Sequence, residues 1–117
     1  MDIAKKKFKI VVGDKVVVPV SGHYMNGNGR AVQFKFDLVC KRMDAEEMRE
    51  AMGSKRLIND ILKEVVTDWR NQRLVLNEDD SPADFDADAF DALLNISGLA
   101  LVCFNAYAIN NGATEKN

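Results

Sequence analysis

The chain has 117 residues, is 47% apolar and 29% charged, and contains 2 Pro, 7 Gly, 2 Cys and a single His. Those proportions suit one globular domain (residues 1–117) and exclude collagen-like, disordered and disulfide-scaffold classes, and one His with two Cys cannot supply the four ligands of a structural zinc site. The net charge of -2 conceals a division: residues 1–73 carry 15 Lys or Arg against 10 Asp or Glu, and residues 74–117 carry 1 against 8.

The chain opens on the basic run Lys5-Lys6-Lys7-Phe8-Lys9, which could touch phosphate but reads first as a solvated tail. Phe8–Val12 and Val16–Val20 are β-prone runs around Gly13-Asp14-Lys15, and predict a hairpin. Pro19 puts the second run at a sheet edge, because proline cannot donate to a ladder. After a Gly- and Asn-rich loop over 21–29, Val32, Phe34, Phe36, Leu38 and Cys40 alternate with polar positions and mark the core face of a further strand.

At Met43 the period changes to that of a helix. Asp44 and Glu47 form a capping box, Met43 and Met48 a hydrophobic staple, and Gly53 a left-handed C-terminal residue. Ser54 is the expected cap of a second helix running to about Trp69, on the stripe Leu57, Ile58, Ile61, Leu62, Val65, Val66 and Trp69. An acidic loop over 77–84 precedes a third helix capped by Asp86, stapled by Phe85 and Phe90 and reaching about Ile96. Ser97 is the expected cap of a last helix, Leu99 to about Asn110, apolar nearly all round. The expectation is therefore an α+β domain, an N-terminal antiparallel sheet over about 7–41 followed by about four helices over about 44–110.

Residues 92–114 lack charge, but Asn95, Ser97, Gly98, Asn105, Asn110 and Asn111 interrupt them, so a buried or interface helix is expected in place of a membrane span. The N-terminal run lacks the pattern of a signal peptide. Cys40 and Cys103 fall on apolar patterns, and a reducing cytoplasm is expected.

The constellations that could carry chemistry are incomplete. Asp84, Asp86 and Asp88 imitate the start of a calcium loop, but Ala89 stands at the glycine position and Asn95 at the bidentate glutamate position. Gly27-Asn28-Gly29 is followed by a strand, so it reads as a turn and does not form a phosphate cradle. His23 beside Tyr24 and Ser21 has no identifiable orienting carboxylate, and Phe34-Lys35-Phe36 puts both rings on the core face. No catalytic residue, metal or cofactor is expected. A helix apolar all round must be enclosed by its own fold or by a partner. Part of the set Leu99, Val102, Phe104, Tyr107 and Ile109 is accordingly the expected partner-binding or self-association surface, and Trp69 beside Arg70 and Arg73 reads first as core and second as a further anchor.

The segment Ile58–Trp69, the acidic loop, the run Ser81-Pro82-Ala83-Asp84-Phe85-Asp86-Ala87-Asp88-Ala89-Phe90-Asp91-Ala92-Leu93-Leu94 and the final helix with Ala106-Tyr107 together resemble the tail assembly chaperones of long-tailed bacteriophages. The resemblance covers about residues 55–109; where such proteins commonly have a glycine in the acidic loop, this chain has Asp80 before Ser81-Pro82. It implies a non-enzymatic role in virion assembly in the cytoplasm of an infected bacterium. The chaperone would bind the tape measure protein, keep it soluble, help the tail tube protein polymerise around it, and be absent from the mature virion. A nucleic-acid-binding regulator using the basic first half is the alternative reading, and a small enzyme is the least supported by the residues.

Overall fold

The structure, a computed structural model, describes residues 8–115. It is an α+β fold: a three-stranded antiparallel sheet of order β1-β2-β3, built from β1 (Lys15–Met25), β2 (Ala31–Lys41) and β3 (Val66–Arg70), with four helices. The helices are α1 (Ala45–Gly53), α2 (Ile58–Val65), α3 (Ala87–Leu94) and α4 (Leu99–Asn111).

The hairpin differs from the expected one. β1 pairs with β2 from Lys15↔Lys41 to Met25↔Ala31, so most of the expected loop over 21–29 is strand, and Phe8–Val12 pairs with no strand. Asn26 explains the choice of turn. Its side-chain oxygen accepts from the backbone N–H groups of Asn28 and Arg30, and Gly29 takes the left-handed φ of 76° that closes the loop. Gly22 faces Phe34 across the ladder, and a Cβ there would stand 2.7 Å from the phenyl ring, so the ring occupies space that only glycine leaves. Pro19 does lie on an edge strand, and the alternation of β2 holds, with Phe36, Leu38 and Cys40 buried and Val32 and Phe34 half-buried.

The capping box of α1 is present in both directions, Glu47 N–H to Asp44 Oδ1 at 2.8 Å and Asp44 N–H to Glu47 Oε1 at 3.0 Å. Gly53 is not left-handed, and Ser54 caps nothing downstream: its hydroxyl donates back to the Ala51 carbonyl and accepts from Arg56 N–H, while α2 starts after Leu57 without a side-chain cap. Nor does α2 reach Trp69. It stops at Val65, where Val65-Val66-Thr67 puts β-branched residues beside the unpaired edge of β2, and the chain turns extended to pair Val66↔Cys40, Leu38↔Trp69 and Asp37↔Arg70. The register shifts between Val39 and Cys40, which lets Val66 and Trp69 share the buried face although an odd number of positions separates them. A helical spacing had its apolar residues in the right place for a bulged strand.

Asp86 caps α3 through Ala89 N–H at 2.7 Å, and the helix ends at Leu94, two residues short of Ile96. Ser97 does not cap α4; Gly98, at φ 90°, makes the corner, and α3 and α4 meet at 104°. Among the described residues no single helix is long and apolar enough to cross a membrane. α4 packs on β1 and α2, closing the core over the inner face of the sheet. Its C-terminal end is fastened by Asn111, whose amide accepts from Met43 N–H at 2.8 Å and donates to the Met43 carbonyl at 3.0 Å, and by Tyr107, whose hydroxyl donates to the Lys41 carbonyl at 2.7 Å. Asn111→Ala would leave both Met43 backbone groups buried and unpaired, at a cost of about 2–3 kcal/mol. Its urea unfolding midpoint should fall accordingly, with little change in slope.

Candidate interaction surface

The six residues expected to meet a partner separate into two groups. Trp69, Leu99, Phe104 and Tyr107 lie in the domain's own core, so the expectation that they face a partner is corrected: the apolar character of α4 is used mainly against β1 and α2. Val102 is partly buried, and Ile109 is 64% exposed. One residue the sequence reading passed over joins them. Leu101 is 56% exposed and lies two helical turns before Ile109, with exposed Asn105 between, so one stripe of α4 faces outward with an apolar residue at each end.

Trp69 instead organises the start of the acidic half. Its ring meets Phe85 edge-on with centroids 5.3 Å apart and Phe90 at 6.4 Å, and its indole N–H donates to the Ala83 carbonyl at 3.1 Å. Gln72, buried and unremarked in the sequence, completes the clamp. Its Nε2 donates to the Val75 and Ala83 carbonyls and its Oε1 accepts from Leu74 and Val75 N–H, so one amide replaces the backbone partners that this irregular segment lacks. No periodicity marks such a residue; only its partners do. The loop beyond narrows at a Leu76↔Pro82 bridge, and Asp80 adopts φ 67°, the conformation that glycine accepts most readily.

The electrostatics follow the division of the sequence. Among the described residues the ion pairs are Lys63–Asp91 and Arg56–Glu64, so Glu78, Asp79, Asp80, Asp84, Asp86 and Asp88 have no cationic partner there. The Ser81 hydroxyl and backbone N–H, both donating to Asp79, hold its carboxyl below the ordinary carboxylate range. An open pocket of about 700 Å³ lies beside this loop, lined by Trp69, Gln72, Arg73, Ala83, Asp84 and Phe85 among others. Trp69 and Gln72 point their polar atoms at the Ala83 carbonyl. The remaining polar side chains of the lining are the Arg73 guanidinium, the Asn71 amide and the carboxylates of Asp68 and Asp84.

His23 sits on the exposed face of β1 opposite Gln33, away from any such groove. No cluster of three or more His, Cys, Asp or Glu residues disposed to hold a metal occurs among the described residues. Comparison with protein-family models, with curated proteins and with solved structures finds no match.

Substituting Gln72 by Ala should raise amide hydrogen exchange selectively at Leu74 and Val75, whose N–H groups lose their acceptor, before exchange rises in the strands. The two thiols give a second expectation. Burial pushes both Cys40 and Cys103 up to about 12 from 9.0, with the neighbouring Cys103 adding to the shift of Cys40. A folded-state value above the unfolded one means stability that is complete below pH 9 and lost as pH rises toward 12. At pH 8 the folded protein should therefore resist iodoacetamide, and denaturant should expose both thiols to it.

Proposed function

We propose that the chain is a tail assembly chaperone of a long-tailed bacteriophage, a non-enzymatic protein that binds the tape measure protein, keeps it soluble and promotes assembly of the tail tube protein around it. The cytoplasm of the infected host is its place of action, and the mature virion lacks it. The observation that carries the reading is the run from Ile58 to Tyr107, whose residues resemble that family and whose elements hold an acidic loop against an apolar helical core.

A helical client offers apolar stripes that need cover until assembly. The outward stripe of α4, with Leu101, Ile109 and the edge of Val102, supplies apolar contact of that kind. The carboxylates from Glu78 to Asp88, which have no cationic partner among the described residues, keep a complex in solution and select for basic surface on the client. Tape measure protein co-expressed with the chain should become soluble and co-purify with it. Leu101→Asp with Ile109→Asp, two exposed positions whose change leaves the core intact, should abolish the rescue while circular dichroism stays that of the wild type. Failure of the wild type to rescue, joined to nucleic-acid binding that weakens steeply with salt, would support the regulator reading in its place.

A further inference from the structure

Phe8, Ile10, Val11 and Val12 are 69%, 78%, 91% and 62% exposed, the densest group of uncovered large apolar side chains among the described residues. They precede β1, which is an edge strand with neighbours on one side only. Sequence alone pairs Phe8–Val12 with Val16–Val20 through the turn 13–15, yet the structure does not make that hairpin within one chain. The turn residues are otherwise engaged: the Gly13 carbonyl accepts from Arg42 Nε at 3.0 Å and the Asp14 carbonyl from Arg42 N–H at 2.7 Å, which ties the root of the arm to the exit of β2.

We infer that a second copy of this chain covers the arm, each copy laying Phe8–Val12 along the free edge of its partner's β1 to form a strand-exchanged dimer. The pattern of the arm suits the edge. Phe8, Ile10 and Val12 share one side and would extend the inward row of half-buried Val16 and buried Val18 and Val20, while Val11 falls on the side of Val17, itself 44% exposed. Pro19 withholds one donor from the added ladder but keeps its carbonyl as an acceptor. The five residues of the arm match in length the run Val16–Val20 with which the sequence pattern pairs them, so the free edge best fitted to the arm is the β1 of a second copy. Exchange of an identical element satisfies both open edges by one two-fold operation. The inference stands apart from the identity of any client.

Sedimentation equilibrium of the full chain at micromolar concentration should return twice the 13.1 kDa chain mass. Ile10→Asp with Val12→Asp, both at exposed positions, should return the single mass with unchanged circular dichroism. A Val11→Cys chain mixed with a Val17→Cys chain should form, on mild oxidation, a disulfide between the two different chains, with Cys40 and Cys103 shielded in the core. A monomeric wild type overturns the proposal. So does a dimer that survives the aspartate substitutions, and so does a chain carrying both Val11→Cys and Val17→Cys whose disulfide closes within one monomer, the hairpin the sequence pattern first suggests.

Discussion

The fold depends on β2. It is the strand with neighbours on both sides, and its inner face supplies Phe36, Leu38 and Cys40 to the core. An unpaired second edge would leave a row of backbone groups to be satisfied some other way. β3 fills that edge from Asp37 to Cys40 at the expense of the last turn of a helix, and the segments C-terminal to it are positioned from there: Trp69 and Gln72 receive the acidic segment, Phe85 and Phe90 close over Trp69, and α3 delivers the chain into the corner at Gly98. Asn111 and Tyr107 then return the end of α4 to Lys41, the last residue of the same strand, and to Met43 just past it.

Local chemistry was legible in the sequence wherever neighbours along the chain decide it. The capping box at Asp44 and Glu47, the cap at Asp86, the Phe85–Phe90 contact and the alternation of β2 all appear as read, since each depends on residues a few positions apart. What the sequence could not display was competition for a distant edge. Residues 66–70 fit a helical stripe and a bulged strand equally well in spacing, and the vacancy beside β2 decided between them. The same applies to the first hairpin, where Asn26 offered a turn whose merit lies in two side-chain hydrogen bonds absent from any propensity scale.

Burial on α4 was misread for a related reason. A helix apolar on every side suggested surplus surface, whereas three of the expected contact residues, Leu99, Phe104 and Tyr107, are buried in the domain's own core. The surface left over is narrower and was hidden among ordinary residues: Leu101 and Ile109 on the helix, and carboxylates without cationic partners among the described residues. The charge division along the chain leaves residues 1–73 with an excess of cations and residues 74–117 with an excess of carboxylates.

The chain has one tryptophan, and it stands where β3, the acidic segment and α3 converge, with its indole N–H committed to Ala83 and its ring enclosed by two phenylalanines. Indole emission depends on the polarity around the ring and on that hydrogen bond. The molecule therefore carries a built-in fluorophore at the seam between its sheet and its acidic half, and separation of the two would register as a red shift of that single emission with no label added.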